Sequence, residues 1–581
     1  MRQSLIALGL AVGAASCTPP PRPVPLEAGT LDQGPAWTEA ARADFYTRDQ
    51  GSQLMPAAWL MALQDADGQP FMRDRLARYG YLPNRDAPTS VLPVGFSLAG
   101  PPGGQMVGMS CAACHTREIE AEGRAWRVDG GPAFADFQSF LADLDRAVGA
   151  LLANPAAFDT FAVAVLGNPP APADKAALQQ QVERWYRRYH TIIARSLPTP
   201  PWGPGRLDAV AMIFNRLTGL DLGPPPDYLI PANIRVADAP VRYPFLWNAA
   251  KQDKTQWPGF ADNGNDVLAL ARNLGEVLGV FATFHPVPDP RIPLLGVNYV
   301  AQNSANFDGL LKLEDLLKRI GPPRYPFAVD QTLVAQGRAI FARDPAQGGC
   351  AGCHDIKPGA FRGFEETWAT PIQDVGTDSR EVNLLARTAQ SGVLEGHMAP
   401  LGGTLKAEEP AVQLLGAAVF GSILQAPFAT DLQRQGKLAL AAPRDPRRMT
   451  AAVAAAKAPS LEGAYPAPQR AEAAAATPGA AYEARVMQGI WATAPYLHNG
   501  SVPTLADLLK PAAARPAEFS IGPAYDTTAV GLARVQPGTM AVLRTTGCED
   551  RDSGNSRCGH EFGTTLTDDE KRALLEYLKT L

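Results

Sequence analysis

Two short stretches have a spacing that can do chemistry: Cys111-Ala112-Ala113-Cys114-His115 and Cys350-Ala351-Gly352-Cys353-His354. In each, two thiols lie one turn of chain apart and an imidazole follows the second directly. That is the pattern by which a chain captures a c-type haem, with the thiols adding across two vinyl groups and the histidine reaching the iron. A zinc or disulfide-exchange CxxC needs no such histidine, and here both copies have it. The sequence therefore predicts two covalently bound haem c groups on Cys111/Cys114 and Cys350/Cys353, with His115 and His354 as proximal iron ligands.

Helical elements must hold these motifs. Upstream of the second, Thr332 to Arg343 has the spacing of a helix through Leu333, Gly337 and Phe341. The chain ends in Thr567 to Leu581, which opens on an N-cap Thr and acids and buries Leu574, Leu575 and Leu578. In a small cytochrome domain such helices cross beside the haem, glycine against aromatic. The first motif instead follows a Gly/Pro-rich run, AGPPGGQMVG, so the two haem surroundings are expected to differ.

The chain has 581 residues, enough for several domains, and combines 46% hydrophobic with 19% charged residues, 53 Gly and 54 Pro. Helices joined by long loops follow from that balance. A net charge of −5 without a basic run argues against nucleic-acid binding. Residues 1–17 read as an export leader ending in Ala14-Ala15-Ser16-Cys17, a lipobox-like site at which Cys17 would be lipidated. Residues 18–60 are expected to be a tether and arm, 61–328 the N-terminal haem domain, and 329–581 a C-terminal cytochrome c-like domain with an Ala/Pro-rich insertion at about 438–480. An exported chain is exposed to oxidising conditions, so the remaining Cys548 and Cys558 are expected to form a disulfide.

The second axial position decides what each iron can do. For the His354 iron, His560 precedes the terminal helix by seven residues and is the first candidate. Met540, His498, His397 and Met398 are the others. No histidine is so placed for the first iron: His190 lies in a basic helical stretch and His285 in a turn. That favours an open first haem. Aromatic residues between the motifs, among them Trp202, Phe245, Trp247, Trp257, Phe260, Phe281 and Phe284, are mostly core, but Trp247, Trp257 and Phe260 are candidates for the distal wall of the open haem.

The runs RVMQGIWATAPYLHNGSVPTLADLLKPAAARPAEFSIG from Arg485, VDGGPAFADFQSFLADL from Val128, ARNLGEVLGVFA from Ala271 and GHEFGTTLTDDEKRALLEYLKTL from Gly559 resemble the dihaem cytochrome c peroxidase-like superfamily. Within it the likeness is greatest to haem c rubber oxygenases and their uncharacterised relatives, and it extends from about Gly95 to the C-terminus. The resemblance implies an N-terminal active haem, on His115, working with oxygen. It also implies a bis-histidine C-terminal haem, on His354 and His560, that tunes or relays electrons. PYLHNG is similar to the peroxidases' PYxHDG, whose histidine is not usually axial, which demotes His498. The Met or Tyr that follows that motif in peroxidases and in tryptophan-modifying enzymes is missing between Asn499 and Arg515.

Together these readings predict a mainly α protein of two cytochrome c-like haem domains with long loop insertions and little β. It would be exported to the periplasm or cell envelope on an N-terminal lipid anchor. The expected activity is an oxygenase cleaving carbon-carbon double bonds of an apolar, polyisoprene-like substrate with O2. The alternatives are a peroxidase that reduces H2O2 with electrons from a small redox cytochrome, for which Glu118, Glu120 and Glu276 are available acids, and a non-enzymatic electron carrier. Calcium between the haems is a further cofactor candidate.

Overall fold

The structure is a computed structural model that describes residues 26–29, 31–167, 169–362, 365–400, 402–426 and 480–581. The leader at 1–17 with Cys17, the proline-rich start of the arm and the Ala/Pro-rich tract up to 479 lie outside the described residues.

The expectation of a mainly α fold is corrected. Of the described residues 37% are helical and 16% are in strands, and the strands form many small sheets. Most of these strands are two to six residues long and pair locally, as in the hairpin of Thr116–Ala121 with Arg124–Asp129. Strands this short carry too few residues for alternation to stand out, so helical periodicity dominated the sequence pattern.

Among the described residues three large apolar cores hold the fold, beside a small cluster of Val241, Trp257 and Tyr482. One gathers Phe71, Phe140, Leu144 and Trp202 under the helices Phe137–Ala153 and Pro172–Ser196. A second joins Phe45, Trp247, Ile340, Trp491 and Leu574. A third packs Phe214, Leu270, Tyr299 and Leu414. The second core draws on both sides of residue 329, so the two haem regions share an interior rather than each closing a core alone. It also takes in the supposed arm. The helix Glu39–Thr47 buries Phe45 and Tyr46, and the Tyr46 hydroxyl donates to Asp129 at 2.5 Å. Residues 39–60 are therefore part of the fold, since a tether would not bury aromatic side chains.

The helix pair expected around the second motif is present as Gln331–Phe341 and Asp568–Lys579. Thr567 caps the latter through a reciprocal capping box with Glu570, worth about 1 kcal/mol. The helices cross with no room at Gly337, where a Cβ would lie 2.0 Å from the Ala573 carbonyl oxygen, and Phe341 meets Tyr577 edge-on at 5.4 Å. Gly337→Ala is expected to cost about 1–3 kcal/mol through overpacking. A denaturant midpoint unchanged from wild type would contradict this close approach. Among the described residues no single helix is long and apolar enough to cross a membrane.

Candidate haem centres

The first motif is delivered by a β-hairpin. Phe96–Ala99 pairs antiparallel with Met106–Met109, whose other edge pairs with Met55–Pro56, and the chain then turns into the short helix Cys111–Cys114. The Gly/Pro-rich run makes the hairpin turn, with Gly100 and Gly103 at positive φ. Gly95 is held at φ +78°, and a Cβ there would sit 1.9 Å from the Ala113 amide nitrogen, so only glycine lets the hairpin lie against the motif. The His115 amide donates to the Cys111 carbonyl at 3.0 Å, and its Nδ1 is 2.8 Å from the Pro244 carbonyl oxygen. Nδ1–H is thus the donor, which leaves the Nε2 lone pair for a metal. Burial, helped by the charge of Arg485, lowers the His115 pKa to about 4 and keeps the ring neutral.

The second motif is laid down by the helix Gln331–Phe341. The Cys350 amide donates to the Phe341 carbonyl at 2.9 Å, and Ala351–His354 forms the motif helix. His354 repeats the first pattern, with Nδ1 2.7 Å from the Arg485 carbonyl oxygen. Facing it is His560, ring centre to ring centre 6.1 Å, the planes inclined at 49°. Two imidazoles on opposite faces of one metal, each with a metal–nitrogen bond of about 2 Å, have ring centres about 6 Å apart.

The cleft between these rings is walled by Cys350, Cys353, Phe245, Trp257 and Tyr482. His560 Nδ1 is buried without a hydrogen-bond partner, and burial with the nearby His354 lowers its pKa to about 3. The loop carrying His560 is stapled. Cys548 is bonded to Cys558, and the Arg515 guanidinium donates to the carbonyls of Arg557, Gly559 and His560 at 2.7, 2.7 and 3.2 Å. His560 itself sits at φ +51°, a left-handed conformation that costs a non-glycine residue about 1 kcal/mol or more and that this staple maintains.

The residues present fit haem c at both motifs. The four motif cysteines, Cys111, Cys114, Cys350 and Cys353, are in no disulfide, as thioether attachment requires. Among the described residues no three His, Cys, Asp or Glu side chains converge as a metal site.

The other expected site residues are placed as follows. His498 lies on the wall of the second cleft, stacked on Tyr482 at 3.7 Å. The Met540 side chain lies over Gly80, and His397 packs beside Gly296; Met398 pairs with Thr404 in an isolated bridge. His190 bonds Asp145 at 2.9 Å, and His285 stacks on Tyr228 at 3.8 Å. Among the described residues, no second imidazole has a contact that places it against His115.

The three distal-wall candidates do not come together. Trp257 lines the second cleft and donates to the Arg242 carbonyl at 3.0 Å, which moves it from the first site to the second. Trp247 is a core residue stacked on Phe245 at 4.9 Å and bonded to the Gln488 carbonyl, whereas Phe260 packs on the third core.

Of the acids, Glu118 is paired with Arg85 and Arg127, and Glu120 is half-buried. Glu276, on the helix Asp266–Gly279, accepts from Gln256 at 2.9 Å. Burial raises its pKa, and its charge reaches Cys111 and Cys114. Pro244, Arg485 and Arg515 went unnoticed in the sequence. They act through carbonyl oxygens, or on them, and no residue type advertises that role.

A family model described as RoxA-like, cytochrome c-like matches residues 481–520. That segment includes Tyr482, Arg485, His498 and Arg515, which wall the second cleft or staple its loop. Over 615 aligned positions, 94% of this chain and 92% of the relative, the chain is 30% identical to the uncharacterized protein y4iJ of Sinorhizobium fredii (strain NBRC 101917 / NGR234). To the uncharacterized protein y4iM of the same strain it is 26% identical over 366 positions, 58% of this chain and 63% of the relative.

Proposed function

We propose, for a chain that belongs to the y4iJ family and carries a RoxA-like cytochrome c-like segment with haem c, that it is a two-haem oxidoreductase with divided labour. The side of His115 is the working site and the His354/His560 site serves electron exchange. One observation carries this reading: His354 faces a second imidazole at 6.1 Å, and His115 has none against it among the described residues. When bound, haem c supplies an iron that exchanges single electrons and, where one face is open, works on oxygen or peroxide.

The chain's own residues orient and shield. The Pro244 carbonyl fixes the His115 ring, and apolar side chains of the first core pack against Ala113 and Cys114. We read the substrate as an apolar, unsaturated molecule cleaved with O2, which needs orientation and dryness more than acid/base groups. Export by the leader and a lipid at Cys17 belong to the same reading. Oxygen uptake with polyisoprene latex, compared with peroxide turnover fed by a reduced small cytochrome, tests it. Two low-spin haems inert to both oxidants would end it.

Glu276 favours a second reading, peroxide reduction at the same site, because a buried carboxyl held toward its neutral form can deliver a proton. If peroxide is the substrate, Glu276→Gln is expected to lower peroxide turnover about 100-fold or more with both haem spectra unchanged. Under the oxygenase reading, oxygen uptake stays within a few-fold of wild type, about 1 kcal/mol in barrier.

A further inference from the structure

One buried side chain connects the two centres. The Arg485 carbonyl accepts from His354 Nδ1, and the Arg485 guanidinium carbon lies 3.8 Å from the centre of the Phe245 ring. Phe245 directly follows Pro244, whose carbonyl accepts from His115 Nδ1. The run from one proximal histidine to the other is therefore short: His115, the Pro244–Phe245 peptide, Arg485, His354. Arg485 is 8% exposed; one Nη donates to Gln252 at 2.7 Å, Nε has no hydrogen-bond partner, and Glu483 stands 3.7 Å away. Gln252 also reaches Glu483, at 3.4 Å.

Resting on the two-haem reading above, we infer that Arg485 is a positioning residue shared by both haem sites, which orients His354 through its carbonyl and Pro244–Phe245 through its guanidinium, and whose buried charge favours the reduced state of both irons. The physical ground is Coulombic. A positive charge held in a low-dielectric interior stabilises an added electron nearby, and the effect falls slowly with distance where water cannot screen it. Glu483 offsets part of that field. The cation–π contact sets the guanidinium against Phe245, which walls the second cleft and directly follows Pro244, while the Arg485 carbonyl accepts from His354. One residue thus bears on both proximal histidines, on His354 through its carbonyl and on the Pro244–Phe245 peptide through its guanidinium.

The test is a spectroelectrochemical titration of the holoprotein, preceded by intact mass. Arg485→Gln keeps the peptide carbonyl, so His354 stays oriented, but removes the charge. It is expected to lower the midpoint potentials of both haems, each by at least a tenfold change in the reduction equilibrium, about 59 mV for a one-electron couple. Arg485→Lys, which keeps the charge, should stay near wild type, and Glu483→Gln should raise both potentials. Equal behaviour of the Lys and Gln variants would mean a purely structural role and overturn the inference. So would a shift confined to one haem, or none. If Arg485→Gln does not accumulate, the equally uncharged Arg485→Met is read in its place against the same expectations. A wild-type mass with fewer than two haems would instead sink the two-haem reading, independently of how the variants behave.

Discussion

His560→Ala is expected to leave both haems covalently attached and to convert one of them from low-spin to high-spin. Cys350 and Cys353 would hold the macrocycle, and His354 keeps its bond to the Arg485 carbonyl, so neither attachment nor the proximal side would depend on His560. What is lost is the imidazole 6.1 Å across from His354. Its replacement by water or nothing weakens the ligand field and moves the potential of that site. Losing a ligand should cost no less than the about 10–100-fold typical of losing an outer partner of a metal ligand, here in steady-state turnover. Stability should change little, because the Cys548–Cys558 bond and Arg515 still hold the loop. EPR of the oxidised holoprotein checks this directly. Two unchanged low-spin signals would remove His560 from the second centre and leave the asymmetry between the sites without a basis.

The second large effect belongs to the first motif. Cys111→Ala with Cys114→Ala is expected to reduce the intact mass by one haem and to abolish turnover with oxygen and with peroxide, while the low-spin signal of the His354/His560 site persists. The two thiols sit in the wall of an interior that Gly95 and the hairpin Phe96–Ala99/Met106–Met109 close from one side. Without thioether bonds a macrocycle there is held by a single imidazole. The paired change Cys350→Ala with Cys353→Ala gives the contrast: loss of the other haem, with slowed electron delivery and the oxygen-reactive haem still present. Turnover that survives the Cys111/Cys114 change but not the Cys350/Cys353 change would reverse the assignment of working and relay sites.

Several features of the second centre were legible because they are local. The helix before Cys350 and the capped helix from Thr567 follow from spacing within a dozen or so residues of the chain, whereas their close approach at Gly337 was expected only from the pattern of small cytochrome domains. His560 stood out for a similar reason, lying just before that last helix. The aromatic wall was not legible. Trp247, Trp257 and Phe260 lie within one stretch of sequence but face a core, the second cleft and another core, since a loop with short two-residue pairings redirects each side chain independently. The arm was misread for a related reason. Proline at 18–25 colours the composition of a window whose later residues, Phe45 and Tyr46, are as buried as any in the molecule.

By itself the sequence displayed two CxxCH motifs, each with a histidine directly after the second thiol, and the class of cofactor that pattern takes, because thioether attachment needs only one turn of chain and is written in adjacent residues. Only the tertiary structure decided which histidine stands opposite which, that the Pro244 and Arg485 carbonyls orient the two imidazoles, and that the Arg485 guanidinium lies against Phe245. Those contacts join residues more than a hundred positions apart, and two of them use backbone carbonyls that every residue carries, so no pattern of side chains could have announced them.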